Sequence, residues 1–149
     1  MKKPEKKLIE TIHKIMKNEW TTDAVENLRG QGFSDYVFSC HSRHGFIEFK
    51  HRPKWPKRPD TIVTIDHYTK WQKAFLYRHG KHGNGGAFLC LQVERDVMFY
   101  NYHASQIIGN ITKTPMMSVN LCTYTFNLPL LGDESSLIQS RLITTLTEH

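Results

Sequence analysis

Apolar residues recur at helical spacing at the start of the chain. Leu8, Ile9, Ile12 and Met16 form a stripe, and Lys6, Lys7, Lys14 and Lys17 fill the remaining surface. The spacing predicts an amphipathic helix over 4–18, with Pro4 suited to its first turn. Glu5 lies on the apolar stripe, one turn before Ile9, and Glu10 projects from the opposite face. Residues 19–34 admit two readings. One is a short helix over 22–29 capped by Thr22; the other is a short strand holding Trp20 and Val25 that runs into a loop marked by Gly30 and Gly32.

The period then falls to two. Residues 35–40 and 46–50 read as neighbouring strands joined by a hairpin loop over 41–45. Three prolines exclude regular structure over 51–60, and 61–65 reads as a short extended segment. A helix is expected over 69–79, with Trp71, Phe75 and Leu76 on its apolar side and Gly80 as its stop. After a Gly-rich turn at 83–86, the unbroken apolar run 87–93 predicts a central strand buried on both faces. A further strand over 97–102 follows a turn at Arg95 and Asp96, and a helical turn is expected over 104–108. Strand-like sequence recurs over 117–126, and 137–146 reads as a closing helix with Asp133 near its start. No internal repeat and no second domain is evident. The expectation is a single domain over 1–149, with its core at about 5–102 and an extension over about 103–149.

Strand alternation gives the chemistry its shape. Glu48 and Lys50 must share a sheet face, while Ile47 and Phe49 point to the other. If Ser39 pairs with Phe46, Val37 opposes Glu48 and Asp35 opposes Lys50, so all three polar side chains converge. A one-residue slip would send Asp35 to the wrong face. Two carboxylates suit a hard cation such as Mg²⁺, and an ammonium beside them can stabilise charge on a phosphoryl group.

Charge agrees with a polyanionic partner. Twenty Lys and Arg outnumber fourteen Asp and Glu, for a net charge of +6, and the pI is near 9.3. Arg52, Lys54, Lys57 and Arg58, with Trp55 among them, directly follow Lys50 and read as a phosphate-tracking loop. Cys40, Cys90 and Cys122 are isolated in apolar surroundings and form no CxxC pair. They read as core residues in a reducing compartment rather than zinc ligands. The His41/His44 and His79/His82 pairs fall in turns without thiolate partners, and the glycines at 83–86 lack the Lys-Ser/Thr of a phosphate loop. No apolar run approaches membrane-spanning length and no signal-type segment follows Met1, which predicts a cytoplasmic protein with no membrane partner.

Asp35 followed by Glu48-Phe49-Lys50 resembles the signature of the PD-(D/E)xK nucleases, an acid followed after a hairpin by acid, apolar residue and lysine. Gly32 ahead of the first acid, Gln72 in the next helix and the later run Gly86-Ala87-Phe88-Leu89-Cys90-Leu91 extend the likeness over about residues 5–93. The order is similar to the phage and archaeal Holliday-junction-resolvase-like branch and to VRR-NUC nucleases. The resemblance implies an α/β (α+β) restriction-endonuclease-like core, a mixed sheet flanked by helices. It implies a DNA endonuclease in which Asp35, Glu48 and the Phe49 carbonyl bind Mg²⁺, with Mn²⁺ able to substitute, and Lys50 is the catalytic lysine. A helical glutamate often completes such sites. Glu5 matches it better than Glu10, and Glu26 is a further candidate; Gln72 matches a glutamine near the site. Ser34 stands where the motif has proline. Junction, flap, duplex end and single strand all fit as substrates, and cutting a junction would call for a symmetric homodimer. The alternatives are a non-catalytic nucleic-acid-binding protein on a degenerate nuclease fold and a module that binds another protein.

Overall fold

The structure is a computed structural model that describes residues 3–25 and 34–148. Gly30, Gly32, Glu26 and the proposed 22–29 helix beyond Val25 lie outside the described residues. Six strands form one sheet in sequence order: β1 (Trp20–Ala24), β2 (Tyr36–Cys40), β3 (Arg43–Arg52), β4 (Ala87–Val93), β5 (Asp96–Asn101) and β6 (Cys122–Asn127). All neighbours are antiparallel except β3 and β4. A parallel pair needs a long crossover, and the segment between β3 and β4 supplies it through α2 (Lys70–His82). The fold is therefore a mixed sheet flanked by helices, as expected. Trp20–Ala24 is a strand, which favours the strand reading over a helix from Thr22, although Val25 falls just past its end.

Two apolar layers cover the sheet. On one face α1 (Lys3–Met16) and α4 (Glu134–Thr147) bury Leu8, Ile12, Ile138 and Leu142 against Phe38, Ile47, Phe49 and Cys90. On the other face α2 and the segments around the 3-10 turn Ala104–Gln106 and α3 (Lys113–Met116) bury Leu76, Ile108 and Met116 against Leu89, Leu91, Met98 and Tyr100. Even-numbered residues of β3 belong to this second face, so Glu48 and Lys50 lie under the α2 layer. Residues after 103 add β6 to the sheet edge and α4 to the first core.

Four sequence expectations need correction. The hairpin turn is only His41 and Ser42, both at positive φ (45° and 70°), as a two-residue type I′ turn requires. Arg43, His44 and Gly45 are therefore strand. Val37 pairs with Phe46 and Ser39 with His44, a register two residues from the Ser39–Phe46 pairing. Gly80 does not end α2, which runs to His82. Instead Gly80 is buried, and a Cβ there would stand 2.2 Å from Tyr102 Cγ. Finally, β3 continues through His51 and Arg52 before the prolines stop it.

Candidate active site

A register error of two keeps every side chain on its face, because strand side chains repeat every second residue. Continuing the observed pairing from Tyr36–Ile47 places Asp35 beside Glu48 rather than opposite Lys50. Asp35 Oδ2 accepts the Phe49 backbone N–H at 3.3 Å. The Asp35 carboxyl also lies close enough for its charge to disfavour ionisation of Glu48, a repulsion that protonation of one carboxyl or a cation between the two would relieve.

Glu48 is the centre of the arrangement. Its side chain is fully buried, with 0% of its surface exposed. Oε2 lies 3.5 Å from Lys50 Nζ and receives a long contact of 3.5 Å from Gln72 Nε2. Oε1 is buried with no hydrogen-bond partner among the described residues. Burial pushes the Glu48 pKa well above the carboxylate range, and the neighbouring Asp35 charge pushes it further. Lys50 opposes both without cancelling them. A buried carboxylate with an orphaned oxygen is expensive, and a bound cation is one way to satisfy it.

Lys50 is also buried. Its Nζ donates to the His67 carbonyl at 2.9 Å as well as facing Glu48. One ammonium is thus held between a carboxylate and a backbone oxygen, which fixes its position on the α2 side of the sheet.

Gln72 has two tasks. Thr69 caps α2: its side chain accepts the Gln72 N–H at 3.2 Å, while Gln72 Oε1 accepts the Thr69 N–H at 2.9 Å. This capping box locks the amide oxygen toward the helix terminus and leaves the amide NH₂ directed to Glu48. The Thr-x-x-Gln spacing is a readable sequence signal for that cap.

Glu5 is half-buried in the first turn of α1, whose neighbours Leu8 and Ile9 pack in the Ile47/Phe49 layer, on the sheet face opposite Glu48. Glu10 is exposed, and Glu26 is outside the described residues. The basic loop divides. Arg52 is engaged by the protein: Nε donates to the Lys54 carbonyl at 2.7 Å and Nη1 to the Thr64 carbonyl at 2.8 Å. Trp55 packs against the second core, donates from Nε1 to Asp96 at 2.8 Å, and carries Lys113 Nζ 4.8 Å above its ring. Lys54, Lys57 and Arg58 are exposed.

Two residues without an assigned role emerge beside the site. His67, at φ 61°, supplies the carbonyl that holds Lys50. Tyr68 donates its hydroxyl to the Ser105 carbonyl at 2.8 Å. Burial raises its pKa, the Ser105 bond opposes that, and the charge of Glu48 adds to it, so Tyr68 lies within the field of that carboxylate. No local pattern marks either residue, because both act through contacts distant in sequence. A cavity of about 450 Å³ at the hairpin end of the sheet is lined by Val37, Arg43, His44, Phe46, His79 and Asn84. Val37 and Phe46, which line it, are the next pair toward the hairpin turn on the face that carries Glu48.

Among the described residues no three His, Cys, Asp or Glu side chains gather as a metal-binding group. A cation here would be held by the two carboxylates with backbone oxygen and water, a donor set that suits Mg²⁺ better than softer metals. No described helix is long and apolar enough to cross a membrane.

No family model matches the chain. No curated protein matches it either. Among solved structures, it is similar to the Holliday junction resolvase Hjc of the archaeal hyperthermophile Archaeoglobus fulgidus, at 14% identity and a TM-score of 0.47, over 69% of this chain and 76% of that one.

Proposed function

We propose that this chain is a divalent-metal-dependent endonuclease that hydrolyses DNA phosphodiester bonds. The reading is carried by one observation: Glu48 is buried with an orphaned oxygen, beside Asp35 and Lys50. Asp35, Glu48 and the Phe49 carbonyl would hold the ion, with Mg²⁺ the natural occupant and Mn²⁺ a substitute. When bound, the ion polarises the phosphate and makes a coordinated water more acidic. Lys50, fixed by Glu48 and the His67 carbonyl, faces charge that develops on the phosphoryl oxygens. Gln72 orients the Glu48 carboxylate. Glu5 belongs to the α1 layer on the opposite face of the sheet and is assigned no part in holding the ion. The exposed cations Lys54, Lys57 and Arg58 lie beyond the end of β3 and suit the phosphate backbone.

The test is cleavage of a panel of DNAs (junction, flap, duplex end and single strand) with and without Mg²⁺. Asp35→Ala, Glu48→Ala and Lys50→Ala should each reduce cleavage about a hundred-fold or more, while DNA affinity in EDTA survives. Wild-type rates in these variants would refute the assignment. Isothermal titration should show saturable Mg²⁺ or Mn²⁺ binding that disappears in Asp35→Ala. DNA binding with no such metal site would leave a non-catalytic binding protein. Preferential cutting of junctions would call for two sites in a homodimer, which sedimentation would detect.

A further inference from the structure

We infer that the outward face of α2 is a second DNA-contacting surface, on which Lys70, Arg78 and Lys81 track the backbone and Trp71 stacks on an unpaired base. This deepens the nuclease reading above and rests on it for the identity of the polyanion.

The face is defined by burial. Lys70, Trp71, Arg78, Lys81 and His82 are exposed, while Phe75, Leu76 and Gly80 are buried on the inner side. Positions 70, 74, 78 and 81 fall on one stripe at helical spacing, and Trp71 flanks its first turn. No Asp or Glu occurs anywhere between Asp66 and Glu94. Among the described residues no carboxylate forms an ion pair with Lys70, Arg78 or Lys81. These cations rest instead over aromatic rings of their own helix: Lys70 5.0 Å from Trp71, Arg78 6.0 Å from Phe75 and Lys81 5.9 Å from Tyr77. An aromatic face orients a cation without neutralising it, so the positive charge stays available to a polyanion.

Trp71 is the unusual member. It is 51% exposed, against 8% for Trp20, and Trp55 is held by Asp96 and Lys113. A large exposed ring beside a lysine, on a helix without acids, matches the stacking-plus-charge pattern of single-strand recognition. Placement supplies the link to the site. Trp71 immediately precedes Gln72, whose amide reaches Glu48. From Lys70 to Lys81 the helix runs about 16 Å, long enough to follow several phosphates leading toward that end. The proline loop, by contrast, commits Arg52 and Trp55 to internal bonds.

The experiment uses the full chain and a fluorescein-labelled duplex with a single-stranded overhang, in EDTA so that binding is read without catalysis. The triple variant Lys70→Ala, Arg78→Ala, Lys81→Ala should lower the salt slope of log K by about two to three, given roughly 0.9 per neutralised phosphate on duplex. DNA should quench tryptophan emission in the wild type and not in Trp71→Phe, and Trp71→Ala should weaken binding to the single-stranded oligonucleotide about ten-fold. All substituted residues are exposed, and circular dichroism checks that the variants fold. An unchanged salt slope, or quenching that persists in Trp71→Phe, overturns the proposal. Parallel cleavage with Mg²⁺ separates the two readings. If the wild type cuts DNA while the α2 variants bind normally, only the α2 surface falls. If the α2 variants lose binding while the wild type cuts nothing, only the nuclease reading falls.

Discussion

Glu48 concentrates the physical cost of this molecule in one side chain. Its folded pKa is raised, chiefly by burial and then by Asp35, so the fold prefers the protonated carboxyl. The stability tied to that preference is full below the ordinary carboxylate range. It drains away as pH rises through the raised value. Metal-free protein should therefore lose thermal stability as pH rises from acid toward neutral, and Glu48→Gln should flatten the profile. At pH 8 in EDTA the variant should melt above the wild type by about 2–4 °C, the shift that about 1 kcal/mol produces in a domain of this size. Mg²⁺ should raise the melting temperature of the wild type and leave Glu48→Gln unmoved. Differential scanning fluorimetry reads both effects, and a variant that melts lower than wild type in EDTA would refute the account. The sequence already put Glu48 and Lys50 on one face, because alternation is a property of the strand itself. It did not reveal that Glu48 is fully buried, since burial depends on α2 and on the segment around His67 and Tyr68.

At the scale of elements, the cap of α2 joins folding to the site. Gln72 closes the capping box with one amide atom and faces Glu48 with the other. Two substitutions separate these tasks. Gln72→Glu keeps a capping-box residue at that position yet sets a carboxylate against Glu48, so stability near wild type with cleavage reduced about ten-fold or more is expected. Thr69→Ala removes the cap and should cost about 1 kcal/mol of stability, seen in urea titration. Equal losses of both properties in Gln72→Glu would mean that the glutamine is only structural. Gly80 shows where local reading misleads. Glycine after an apolar run signals a helix end, but here it makes room for Tyr102. Gly80→Ala gains about 1 kcal/mol of helix propensity and meets a clash costing about 1–3 kcal/mol, so net destabilisation is expected. The hairpin was misread for a related reason. His41-Ser42 carries none of the Asn-Gly signal of a two-residue turn, whereas Gly45 looks like loop. Gly45 is in fact strand, small because the Gly86 carbonyl would stand 2.2 Å from any Cβ there.

At the scale of the whole molecule, the sheet separates an apolar layer under α1 and α4 from a layer under α2 that contains the charged group. The proline loop is tied across this layer, and its five basic and aromatic residues should behave differently. Arg52→Ala should lower the melting temperature, because it frees the Thr64 and Lys54 carbonyls. Changing Lys54, Lys57 and Arg58 to Ala should leave stability within about 0.5 kcal/mol and reduce the salt slope of DNA binding. Anisotropy titrations over a range of salt, with melting curves alongside, check both. Glu5 belongs to this scale too, since its stripe on α1 was legible but its relation to Glu48 passes through the thickness of the sheet.

Periodicity and composition by themselves determined the helical stripe of residues 8–16, the buried strand over 87–93, the shared face of Glu48 and Lys50, and the absence of acids over 67–93. These follow from the geometry of a single element and from composition, which no partner can alter. Tertiary structure alone decided the hairpin register, the partnership of Asp35 with Glu48 rather than Lys50, the carbonyl that holds Lys50, and the space that makes Gly80 necessary. Each is a contact between residues far apart in sequence. Its energy depends on how whole elements pack, and no local pattern encodes that.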